Sequence, residues 1–137
     1  MHKRGRKLAV ILLLLFFVVI IWYLQRGKEM DVYNTFSTSS ANFYEETIIV
    51  TANRLFIFDK EKCAEEIFRK CRENSFHSVR FSYDVSKLNA LSGTVYRFRF
   101  GRKWSKPAFS FRYTQKTDKL GTKNIVDNPE NFMLEIY

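Results

Sequence analysis

From Leu8 to Leu24 the chain reads LAVILLLLFFVVIIWYL, an apolar run without a charged position. As a helix rising 1.5 Å per residue it spans about 25 Å, the short end of what crosses a bilayer core. Trp22 and Tyr23 close the run, where an interfacial aromatic belt would lie. It is longer than a typical signal-peptide core of about 7–15 residues. Bulky Trp22, Tyr23, Leu24 and Gln25 follow in place of the small residues that a signal peptidase needs. The pattern therefore predicts an uncleaved transmembrane helix.

Beyond the anchor the pattern changes repeatedly. Residues 25–44 include the polar stretch Thr35 to Asn42, which favours loop and suggests a spacer able to reach about 60–70 Å. Thr47 to Phe58 is β-branched and aromatic, so it reads as strand, interrupted at Asn53-Arg54 by a bulge or tight turn. Asp59 suits a helix N-cap, and Phe58 with Cys63 fits a hydrophobic staple. Cys63, Ala64, Ile67, Phe68 and Cys71 then form an apolar stripe at helical spacing, and Asn74 can end the helix in a left-handed conformation. Three segments alternate with period two: Ser78 to Tyr83, Thr94 to Phe100 and Ala108 to Tyr113. Their aromatic positions predict one sheet face against the helix and one polar face. Gly101 to Lys106 reads as a hairpin loop. Asn128 and Pro129 suit the start of a helical turn, and Phe132 to Tyr137 a last strand.

The predicted fold class is α+β: one N-terminal transmembrane helix, then a small domain with one helix packed on a largely antiparallel sheet. The expected organisation is a basic N-terminus at 1–7, the helix at 8–24, a spacer at 25–44 and the domain at 45–137. A strand–helix–strand unit makes its two strands parallel, and a third strand returning beside them ends where they begin. That logic puts the loop Gly101 to Lys106 on the side where the spacer leaves the membrane.

Charge adds orientation. The net charge is +9. Lys3, Arg4, Arg6 and Lys7 precede the anchor, leaving +5 beyond it. The positive-inside rule then puts the N-terminus in the cytoplasm and the domain outside the cell membrane. Cys63 and Cys71 lie eight positions apart in the predicted helix, about 12 Å along its axis, so they cannot form a disulfide there.

Candidate chemistry is sparse. His77 is the only histidine past the anchor, and no nucleophile–base signature accompanies it. Glu65 and Glu66 diverge around the helix, and the five glycines form no phosphate-cradling cluster. No catalytic residue, metal site, cofactor or small-molecule substrate is expected. What remains is basic. Arg80, Arg97, Arg99 and Arg112 fall at alternate positions opposite the aromatic ones, and the predicted loop carries Arg102, Lys103, Trp104 and Lys106. Such a surface suits an anionic lipid layer or another envelope protein. The leading expectation is a membrane-anchored, non-enzymatic interaction or structural domain, an accessory component of a cell-envelope assembly. The alternative is a membrane-tethered nucleic-acid-binding module using the basic face. Nucleic acid is the less expected partner, because the interleaved rings Tyr96, Phe98 and Phe100 read as core.

Overall fold

The computed structural model describes residues 2–99, 106–116 and 121–137. Helix α1 (His2–Arg26) leads into β1 (Asp31–Ser40) and β2 (Phe43–Thr51). Helix α2 (Lys60–Glu73) follows, then β3 (Ala90–Tyr96), β4 (Phe109–Gln115) and β5 (Phe132–Ile136). The five strands lie in sequence order across one sheet. Every neighbouring pair is antiparallel except β2 and β3, which α2 connects in parallel. This is an α+β fold with one long apolar N-terminal helix. That helix is long and apolar enough to cross a membrane, and none of its residues is buried.

Helix α2 forms for the reasons its sequence states. The Asp59 carboxylate accepts a hydrogen bond from the Lys62 amide at 3.1 Å, capping the first turn. Asn74 ends the helix at φ 56°, and the following Ser75 amide donates back to the Lys70 carbonyl at 3.0 Å. Cys63, Ala64, Ile67, Phe68 and Cys71 are all buried. The sheet meets them with Ile48 and Val50 from β2, Leu91 and Val95 from β3, and Phe109, Phe111 and Tyr113 from β4. Phe68 stacks on Tyr113 with ring centroids 4.0 Å apart. Each such aliphatic or aromatic side chain contributes about 1.5–3 kcal/mol on full burial, so this single layer carries most of the domain's cohesion. Among the described residues no helix or second sheet covers the opposite sheet face. That face carries a run of hydroxyls in which Thr47 lies 3.1 Å from Ser92, and Thr94 3.3 Å from Ser110.

The expected staple is not made. Phe58 is 86% exposed, and its ring turns to Phe56 instead, at 5.8 Å. The expected polar spacer is also corrected, since half of it is β1, paired with β2 from Ser40↔Phe43 back to Asp31↔Thr51. Composition misleads here because an edge strand gains its hydrogen bonds from one neighbour and leaves polar side chains to solvent. Strand β2 stops at Thr51, and residues 52–58, expected to continue it, form no strand; Asn53 at φ 53° ends the strand instead of making a bulge or a tight turn between two strands.

Ser78 to Tyr83 is not a strand. Its backbone is held by side chains: the Asn74 amide donates to the Phe81 carbonyl and accepts from the Phe81 N–H, each at 2.8 Å. Phe81 and Tyr83 still stack at 5.6 Å and lean on the core, which explains the alternation. In β3 the inward face is the opposite of the expected one. Leu91, Gly93 and Val95 point to α2, while Tyr96 falls on the other face and Phe98 lies beyond the strand end. Two period-two patterns of opposite parity overlap in this segment. Parallel pairing with the buried Ile48 and Val50 of β2 selects the earlier one. Three expectations further along agree: β4 buries Phe109, Phe111 and Tyr113, Pro129 opens a short 3-10 turn, and β5 follows.

Candidate functional site

The four arginines expected on one face occupy separate places. Arg112 stands on the uncovered sheet face, 3.3 Å from the Glu45 carboxylate. Arg80 lies on the α2 side and donates to the Asn74 carbonyl. Arg97 follows the end of β3 and donates to the Leu55 carbonyl at 3.4 Å, and Arg99 lies over the Tyr33 ring, 5.0 Å from its centroid. Arg97 and Arg99 both lie past the β3 end of the sheet, on different partners. The reason is the parity of β3. Once Val95 faces inward, Arg97 and Arg99 lie past the strand and cannot share a face with Arg112. Lys106 is exposed, and Arg102, Lys103 and Trp104 lie outside the described residues.

The junction of α1 with the domain is the most organised surface. The Gln25 side-chain amide donates to the Phe56 carbonyl at 2.9 Å and accepts from the Phe56 N–H at 2.8 Å. This two-bond bridge imitates one step of a β-ladder and fixes the helix end to the loop between β2 and α2. Asn53 in its left-handed turn donates from its side chain to the Glu29 carbonyl at 2.7 Å. Met30 is buried beside it. A cleft of about 530 Å³ opens here, lined by residues that include Arg26, Lys28, Glu29, Phe58 and Lys70. Lys70 lies 4.0 Å from the Glu29 carboxylate. Sequence patterns carry no signal for Gln25, because a lone glutamine after an apolar run is ordinary. The contact spans 31 positions.

A second groove of about 470 Å³ runs beside β1 and is lined by Ser37, Tyr44, Glu46, Arg80 and others. Glu46 is only 2% exposed, and it accepts from the Ser37 hydroxyl at 2.7 Å and from the Tyr44 hydroxyl at 2.6 Å. Burial, then the bond to Glu46, pushes the Tyr44 phenol pKa above its ordinary value. The carboxylate is thus engaged by its own hydroxyls, a satisfied buried polar group rather than a free acid. Both cysteines are buried and unpaired with each other. Burial pushes the Cys63 thiol up to about 11, so it carries little thiolate at neutral pH. Among the described residues no three His, Cys, Asp or Glu side chains gather as a metal site.

No protein-family model, curated protein or solved structure matches this chain.

Proposed function

We propose that the chain is a single-pass membrane protein whose domain works as a non-enzymatic interaction or structural module at the membrane surface, as an accessory part of a cell-envelope assembly. The observation that carries this reading is α1: a long apolar helix, none of it buried, with its polar end bridged to the domain. An apolar helix of that length left uncovered calls for lipid around it. The cations before the helix favour a cytoplasmic N-terminus and a domain outside. The nucleic-acid reading has less support, because it asks for one continuous basic surface and the arginines are dispersed.

The test has two parts. The full chain should stay in the membrane pellet after alkaline carbonate extraction. A Ser40→Cys variant should react with a membrane-impermeant thiol reagent on intact cells. Release into the supernatant would remove the anchored reading, and labelling only after lysis would reverse the orientation. Recovery of a reproducible envelope partner with the detergent-solubilised chain would support the module reading.

A further inference from the structure

The loop between β2 and α2 carries two phenylalanines that the protein leaves uncovered. Phe58 is 86% exposed and Phe56 51%, while Ile57 between them packs toward the core. With ring centroids 5.8 Å apart, the two rings make one apolar wedge. Exposed single hydrophobes are common, but this pair has a defined address. Gln25 is the first polar residue after the apolar run, and its double hydrogen bond holds the Phe56 backbone level with the end of that run. About one helical turn earlier stand Trp22 and Tyr23, both largely exposed. Arg97 holds the Leu55 carbonyl from β3's end, so the loop is fastened on two sides. Arg26 and Lys28 line one cleft with Phe58 and Glu29, and exposed Lys60 follows Phe58 in the chain after Asp59. Rings at the end of an apolar span with cations beside them are the composition that settles at an anionic bilayer interface.

We propose that the Phe56–Phe58 wedge enters the interfacial layer of the same bilayer that holds α1 and seats the domain on the membrane by this edge. The proposal rests on the membrane-spanning reading of α1. The occupant is lipid rather than a protein because the Gln25 bridge leaves the loop at headgroup depth, continuous with the aromatic end of the helix.

The experiment uses the full chain in phosphatidylcholine–phosphatidylglycerol vesicles, with a polarity-sensitive fluorophore on Phe58→Cys. The native Cys63 and Cys71 are buried, so labelling of the folded protein goes to the introduced thiol. Val85→Cys is the reference. Val85 is 82% exposed, near the Ser39–Tyr44 end of the sheet, away from α1. The same label there reports domain orientation and the label's own affinity for lipid. The expected result is blue-shifted emission at position 58, quenched by brominated acyl chains and shielded from iodide, with the opposite behaviour at 85. Equal iodide quenching at both positions would overturn the proposal. So would shielding at 58 without bromolipid quenching, which would mean a protein contact instead. Flotation separates the two readings: a chain that leaves the vesicles refutes the span itself, whereas a chain that floats with an aqueous probe at 58 refutes only the wedge.

Discussion

Gly93 gives the sharpest test of the packing between sheet and helix. It sits in β3 directly opposite Phe111 of β4. A Cβ added there would lie 2.6 Å from Phe111 Cε1, 2.7 Å from its Cζ and 3.2 Å from Ile48 Cγ1. Two effects of Gly93→Ala oppose each other. Removing glycine from a strand interior stabilises by about 0.5–1 kcal/mol through lost unfolded-state freedom. Forcing a methyl into a packed core costs about 1–3 kcal/mol. The clash should win, because Phe111 and Ile48 are essentially fully buried, and the Phe111 ring is flanked by Phe109 at 6.3 Å and Tyr113 at 6.1 Å. The net expectation is a loss of about 1–2 kcal/mol, and a lower urea midpoint by about 1 M at the slope usual for a small domain. Near-ultraviolet circular dichroism of the full chain in detergent would report the domain's aromatic packing. Thr94→Ala, one residue along on the uncovered face, should change the midpoint little. Adding Phe111→Leu should restore part of the loss, since the two sites share one space. A Gly93→Ala chain as stable as the parent would mean that the ring has room to retreat, and the close-packed account of this layer would fail.

The remaining predictions concern the same domain. Phe68→Asp should cost at least about 3 kcal/mol, because it strips the stack on Tyr113 and buries an unpaired charge. Glu66→Ala breaks only a half-exposed 2.8 Å pair with Arg54 and should cost under about 1 kcal/mol; matching urea midpoints for the two variants would contradict the packing of α2. Asn74→Gly keeps the left-handed helix end but removes both bonds to Phe81, so a loss of about 1–2 kcal/mol is expected, and no change would mean that the bracket is idle. Partial burial pushes the Asp31 carboxyl pKa up, yet bonds from the Ser78 hydroxyl and amide and the Val32 amide outweigh it and leave the pKa below 3.8. A depressed folded-state pKa stabilises fully above the ordinary value and is lost as pH falls through the depressed one. The stability gap between the parent and Asp31→Asn should therefore narrow below about pH 4, and parallel curves would refute the linkage.

Elements with one dominant period were legible from the sequence. The stripe of α2, its Asp59 and Asn74 ends, and the Phe109–Phe111–Tyr113 alternation all carry their partners' demands in their own spacing. What failed depended on neighbours. Thr35 to Asn42 has the composition of a loop, and only pairing with β2 makes most of it strand. Around Thr94 two parities compete, and the choice is made by the buried face of β2. The loop Gly101 to Lys106, expected on the side where the chain leaves the membrane, lies outside the described residues except for Lys106, and only its flanks can be placed. Insertion of β1 moves the chain's entry to the far end of β2, and β3 replaces Ser78 to Tyr83 as the parallel strand. Both changes reverse direction together. Phe98 and Arg99 accordingly lie beside Tyr23 and Leu24, although residues 100–105 themselves are outside the described set. The Gln25 bridge was invisible because its signal is geometry alone.

The link between α1 and β1 is only Gly27–Met30, and it is tethered along its length by Asn53 and by the burial of Met30. A spacer reaching tens of ångströms would have let the domain sample a hemisphere above the bilayer. This one gives no slack. With α1 in a membrane, the domain's stand-off is bounded by its own strands, about 33 Å for the ten residues of β1. Anything that engages the domain must already be confined to that thin layer, and a rotation of α1 about its axis would swing the uncovered sheet face by the same angle.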